Sequence, residues 1–163
     1  MSLILSLLVD PESQQRFDAL RTAHFPPDRL VVGAHVTLFH ALPEELCVLD
    51  DVRRACAAPP FDVEVTGLRS LGRGVALVLT SPGALALRGQ LASCWTGSLT
   101  PQDAQPWSPH VTVQNKVDPT VARRLLTELT GSFQPWTCRA RGVGVWRYVG
   151  GPWKLLAEVP LSG

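Results

Sequence analysis

Short apolar runs alternate along the chain with polar stretches that carry proline and glycine at their ends. The first run, SLILSLLV from Ser2, reads as a buried strand, and it stops at Asp10-Pro11. Aspartate caps a helix well, and proline at the first helical position gives up no hydrogen bond. The helix begun there puts Phe17, Leu20 and His24 on one face. Ser81-Pro82 repeats the device after a second β-rich run, GVALVLT. A further helix is expected over roughly residues 48–57, and another over 119–130 with Asp118 as its cap. Each ends at a proline before an aromatic residue, in PPFDVEVTGL and QPWTCRARGV, and glycine-rich turns (LGRG, YVGGPW) then close a hairpin.

Several of these landmarks repeat at one offset. Pro60 and Pro135, Phe61 and Trp136, and Gly67 and Gly142 all stand 75 residues apart. So do the histidines that open HVTL at His35 and HVTV at His110. The order strand, helix, motif strand, helix, strand thus occurs twice, followed by a closing strand near Lys154–Pro160. This predicts a single α+β domain over residues 1–163, with repeat halves of approximately 1–74 and 75–163. The halves are expected to form two pseudo-two-fold-related lobes. Mainly antiparallel sheets should enclose a central cleft, with helices outside.

Within each motif the strand period decides what faces the cleft. His35 and Thr37 point one way while Val36 and Leu38 point the other, and His110 and Thr112 alternate with Val111 and Val113 in the same manner. Two opposed faces would bring two imidazoles and two hydroxyls around one small volume. That set suits a phosphate diester. A neutral imidazole can take a proton from the attacking group while a charged one gives a proton to the leaving oxygen. Threonine hydroxyls can donate to the non-bridging oxygens. Attack and departure on opposite sides of phosphorus match a two-fold arrangement. Such a pair predicts a pH optimum near neutrality.

Composition narrows the field. The apolar fraction of 45 % argues against disorder, and a formal net charge of +1 offers no field for coating long DNA. Charge is uneven, however: residues 1–80 carry seven basic and ten acidic side chains, and 81–163 carry eight and four. Arg139, Arg141, Arg147 and Lys154 form an acid-free basic stretch around Trp146, Tyr148 and Trp153, enough for a local phosphate site. From it Arg147 is the candidate to meet phosphate and Tyr148 the candidate to stack on a base, with Arg73 in the matching turn of the first half. On a regular strand Arg147 and Tyr148 face opposite ways, so only one should line the cleft. The four cysteines form no C-x-x-C pair and are expected as free thiols in a reducing, cytoplasmic setting. No stretch approaches the length of a membrane span.

The ordered pair of His-apolar-Thr-apolar motifs, with SPHVTVQNKVDP around the second and VWRYVGGPWK after it, resembles the two-histidine phosphoesterases, in particular their 2′-5′ RNA ligase-like branch. The resemblance spans nearly the whole chain. It implies metal-independent hydrolysis of 2′,3′-cyclic phosphates, small cyclic nucleotides or 2′-5′ linkages, or 2′-5′ joining of RNA ends such as tRNA halves. It implies His35 and His110 as the catalytic pair, with Thr37 and Thr112 as phosphate donors. Which imidazole is the base is left open. No cofactor or metal is expected, because a zinc site needs a third ligand and neither motif supplies an Asp, Glu or Cys at matching positions. The expected partner is a small cyclic nucleotide or RNA 3′ end, with no membrane and no long DNA, and the chain is expected as a monomer. The competing reading is a non-catalytic nucleotide-binding module that uses the same cleft. His24 is read as a core or boundary residue. His40 has the parity of the opposite strand face and is read as a loop residue.

Overall fold

Both helix starts expected after the apolar runs are present in the computed structural model, which describes residues 1–163. The Asp10 carboxylate accepts the Ser13 N–H at the start of α1 (Pro11–His24), and the Ser81 hydroxyl accepts the Ala84 N–H at the start of α3 (Pro82–Cys94). The others are α2 (Val48–Ala55), α4 (Pro101–Ala104) and α5 (Pro119–Ser132). Asp118 occupies the cap position of α5, but its side chain makes no capping bond there. Short α4 was not foreseen, and no helix is long and apolar enough to cross a membrane.

The strands are β1 (Ser2–Val9), β2 (Val36–Leu42), β3 (Phe61–Ser70), β4 (Val75–Thr80), β5 (His110–Gln114), β6 (Trp136–Tyr148) and β7 (Lys154–Pro160). They form one sheet in the order β2-β1-β6-β3-β4-β5, with β7 also beside β6, and every pairing is antiparallel. Strand β6 belongs to both lobes. Its first part, Trp136–Ala140, pairs with β3, and its second part pairs with β1 on one side and β7 on the other.

The register of β3 against β6 places the symmetry axis. The pairing is centred on Val63 opposite Cys138, residues 75 positions apart like His35 and His110. Around that point β1, β2 and β3 correspond to β4, β5 and β6. Strand β3 lies beside β4, and β6 lies beside β1. Each half of the chain therefore gives its third strand to the other half's lobe, and the lobes are not the sequence halves. One apolar cluster runs through both, from Leu5 and Phe39 to Val63, Val111 and Val145.

The two motif strands, β2 and β5, stand at opposite ends of the strand order, yet the sheet rolls until they come within 8 Å of each other, Cα to Cα. Their free edges expose carbonyls that no further strand can satisfy. Side chains from the opposite half do so instead. Arg21 of α1 reaches the Thr112 carbonyl (2.8 Å) on β5, and it also bonds to Val32 O (3.0 Å). Arg88 of α3 reaches the Leu38 carbonyl (3.2 Å) on β2, while Trp107 Nε1 donates to Thr37 O (3.0 Å). Both guanidiniums are buried and lie over aromatic rings, Arg21 over Phe25 and Arg88 over Phe39. The buried row of α1 is accordingly Ser13, Phe17 and Arg21, not the expected Phe17, Leu20 and His24. An apolar pattern does not show a charge turned inward to a carbonyl.

Removing either guanidinium strands buried carbonyls without a donor. Arg21→Leu and Arg88→Leu should each lower unfolding free energy by about 2–4 kcal/mol in urea titrations. Arg53→Leu, at an exposed site on α2, should change it by less than about 0.5 kcal/mol. Equal, small effects at all three positions would show that the arginines do not brace the motif strands.

Candidate active site

Each motif histidine is fixed by the same local device. His35 Nδ1 lies 2.8 Å from the carbonyl of Gly33, and His110 Nδ1 lies 2.9 Å from that of Ser108, two residues back in both cases. A carbonyl only accepts, so Nδ1 carries the hydrogen in both neutral rings. Nε2 is left as the nitrogen free to exchange a proton. Arg69 also approaches His110 Nδ1 (3.3 Å), but Nδ1–H is already donated to Ser108, so that contact is one of charge. Before His35 the backbone is clamped by α1. Asp18 accepts the Ala34 N–H (2.8 Å), and Gln14 donates to the Ala34 carbonyl (2.8 Å).

The expected alternation holds at both motifs. Val36, Leu38, Val111 and Val113 are buried, while His35, Thr37, His110 and Thr112 are half-buried. Thr37 and His110, from opposite halves, line one cavity of about 260 Å³ together with Arg69, His40 and Trp107. His35 lines a second hollow of about 230 Å³ with Trp146 and Trp153. The Trp153 ring centroid stands 4.5 Å from that of His35. The turn that delivers it contains Gly150 and Gly151, whose φ angles of 88° and 147° suit glycine alone.

Burial dominates the electrostatics. It pushes His35 down to about 4, helped by the positive charges of Arg21, His110 and His40, and the Gly33 carbonyl only partly opposes this. His110 is lowered by burial, with Arg69 and His40 adding to the effect and the Ser108 carbonyl opposing it. Both imidazoles of the free protein are therefore neutral at pH 7. The pair is unequal, with His35 the harder to protonate.

The three outlying candidates lie elsewhere. Arg147 is held by Glu44 (2.6 Å), and Tyr148 is exposed at the end of β6. Arg73 donates to the Val117 carbonyl (3.1 Å) and ties the β3–β4 turn to the segment after β5. None of them lines either histidine hollow. The aromatic neighbour that Tyr148 was expected to supply is Trp153, five residues on in the same GGPW turn. His40 corrects the reading further. It lies within β2, where register shifts opposite Leu3–Ser6 accommodate extra residues and break the parity. Its N–H and that of Ala41 both donate to the buried Asp103, and its ring faces the Thr37–His110 cavity. Arg69 was missed because nothing in the β3 pattern distinguishes an inward arginine from a solvated one. No three His, Cys, Asp or Glu side chains converge as a metal site. All four cysteines are unpaired, and burial pushes Cys56 and Cys138 up to about 11.

With this geometry in view, comparison with known proteins assigns the family. Residues 9–152 match the family model described as the 2′-5′ RNA ligase superfamily. The chain belongs to that superfamily of two-histidine phosphoesterases. Its members are enzymes of phosphoester chemistry, so the non-catalytic module gives way to an enzyme acting on nucleotide or phosphate groups. The fold is similar to that of TT0787 of Thermus thermophilus (19 % identity, TM-score 0.72, covering 100 % of this chain and 99 % of that one). It is also similar to E. coli LigT solved with 3′-AMP (20 % identity, TM-score 0.65, 99 % and 98 % covered). No curated protein matches the sequence.

The lowered histidines link stability to pH. In the unfolded chain both imidazoles take up protons near 6.5, whereas folded His35 does so only near 4. Its contribution is therefore complete above pH 6.5 and is lost as pH falls toward 4. Unfolding free energy should drop by roughly 1–3 kcal/mol between pH 7 and pH 4.5 on account of this group. His35→Gln should remove that part of the slope, and an unchanged slope in the variant would contradict the burial argument.

Proposed function

We propose that the enzyme cleaves 2′,3′-cyclic phosphates or 2′-5′ linkages, in RNA ends or small cyclic nucleotides, by metal-independent acid–base catalysis. The observation that carries this reading is the matched Nδ1–H anchoring of two histidines from opposite halves, in environments that set them apart. His35, the harder to protonate, acts as base. Its Nε2 takes the proton of the attacking water as the water oxygen bonds to phosphorus. His110, protonated once an anionic phosphate sits against it, gives its proton to the departing 2′ or 3′ oxygen as the P–O bond breaks. The two rings then exchange protons with solvent and return to their starting forms. The Thr37 and Thr112 hydroxyls donate to the non-bridging oxygens as their charge grows.

Trp153 beside His35 supplies a face on which a nucleobase can stack. E. coli LigT, similar in fold, has been solved with 3′-AMP, ATP, NADP+ and phosphate, which supports a nucleotide substrate here. When the 5′-hydroxyl of a second RNA end takes the place of water, its oxygen bonds to phosphorus as the P–O3′ bond of a 2′,3′-cyclic phosphate breaks, leaving a 2′-5′ bond, so ligation uses the same groups.

A panel of nucleoside 2′,3′-cyclic phosphates, 2′-5′ dinucleotides and cleaved tRNA, assayed with and without EDTA, tests the proposal. His35→Ala and His110→Ala should each reduce turnover about 10²–10⁴-fold at unchanged folded fraction. Activity should survive chelation. Because the free enzyme must hold His35 neutral and His110 charged, kcat/KM should be bell-shaped with its maximum below pH 6.5. That lies on the acid side of the neutral optimum expected from an unperturbed pair. Full turnover in either alanine variant, or activity abolished by EDTA and restored by zinc or manganese, would overturn it.

A further inference from the structure

The cavity on the His110 side holds more cationic chemistry than one diester needs. Arg69 Nε is buried without any hydrogen-bond partner, although its Nη2 lies against His110. His40 projects into the same space. The only carboxylate on the wall, Asp103, is 1 % exposed and fully engaged: it accepts the N–H groups of His40 and Ala41 and the His40 ring. That ring bond, 3.0 Å to Nδ1, fixes the hydrogen on Nδ1 and turns Nε2 to the cavity, as the backbone carbonyls do for His35 and His110. Arg88 holds Asp103 in turn through the Asp103 carbonyl (2.5 Å). Both Asp103 oxygens are thus occupied by donors of the wall itself, and the Arg69 guanidinium lines the cavity beside a positioned imidazole.

We propose that this cavity binds a second phosphate of the substrate, on the 5′ side of the nucleotide whose diester lies between His35 and His110. His40 and Arg69 would be its donors. This deepens the function proposed above and rests on it. At about 260 Å³ the cavity has room for a phosphate beside the reacting one. His40 is here a specificity-determining residue that touches the second phosphate, not the reacting one. A 5′-phosphate on a mononucleotide and the first phosphodiester of an RNA end share this chemistry.

The test compares three substrates: a nucleoside 2′,3′-cyclic phosphate, the same compound with a 5′-phosphate, and a dinucleotide ending in a 2′,3′-cyclic phosphate. The wild-type protein should prefer the 5′-phosphorylated compound by roughly 10–100-fold in kcat/KM, the worth of charge-assisted hydrogen bonds, and the preference should lie in KM. With each protein assayed at its own pH optimum, His40→Gln should bring the kcat/KM ratio between the 5′-phosphorylated and unphosphorylated compounds close to one, whatever the change common to both, with an unchanged thermal midpoint. An equal preference for the dinucleotide identifies RNA ends as a source of the second phosphate, and a preference confined to the mononucleotide identifies small nucleotides. Equal kcat/KM for phosphorylated and unphosphorylated compounds in the wild type, or an undiminished preference in His40→Gln, overturns the inference. Failure to turn over any of the three would instead count against the function itself.

Discussion

Two edge strands with unsatisfied carbonyls must be held face to face, and the rest of the molecule follows from how that is done. Strands β2 and β5 end the sheet order, and both carry catalytic candidates that need open space on one side. Another strand would satisfy their edges but fill that space. Buried guanidiniums and an indole from the opposite half satisfy single carbonyls and leave the cleft open. Because Arg21 and Arg88 each work across the two-fold, loss of either loosens the strand contributed by the other half. The exchange of β3 and β6 between lobes adds a covalent reason why neither lobe can drift away.

Rigid placement has an electrostatic consequence. The motif histidines are each sunk far enough into their hollows that the charged imidazolium is disfavoured in both. An empty site therefore rests in its base form. In the proposed mechanism an arriving phosphate reverses this most easily at His110, whose burial is less complete. In the proposed mechanism the same desolvation would strengthen each hydrogen bond to the reacting phosphate. It also makes the free protein sensitive to acid, a stability cost located at the candidate site.

Much of this was legible in the sequence, for specific reasons. The offset of 75 survives in the structure as the Val63–Cys138 pairing, because a register centred on equivalent residues is what a two-fold requires. Period-two alternation at Val36, Leu38, Val111 and Val113 matched the observed burial. What stayed hidden depended on long-range partners. Arg21 and Arg88 look like ordinary helix-surface cations until the carbonyls they reach are known. His40 defeated the parity argument because a bulge resets parity, and bulges leave no mark in composition. Trp153 and Tyr148 are both plausible aromatic partners for a cleft, and only the fold of the double-glycine turn decides between them.

The claim on which the account turns is that two histidines, anchored alike through Nδ1–H, meet one phosphate with His35 neutral and ready as base. Long-range proton–nitrogen NMR of the imidazoles, followed from pH 8 to pH 4 with and without inorganic phosphate, addresses it directly. Both rings should show the Nδ1–H tautomer when neutral. His35 should stay neutral until pH approaches about 4, and phosphate should raise the titration of His110. An Nε2–H tautomer at either ring, or His35 titrating near 6.5 in the free protein, would contradict the account.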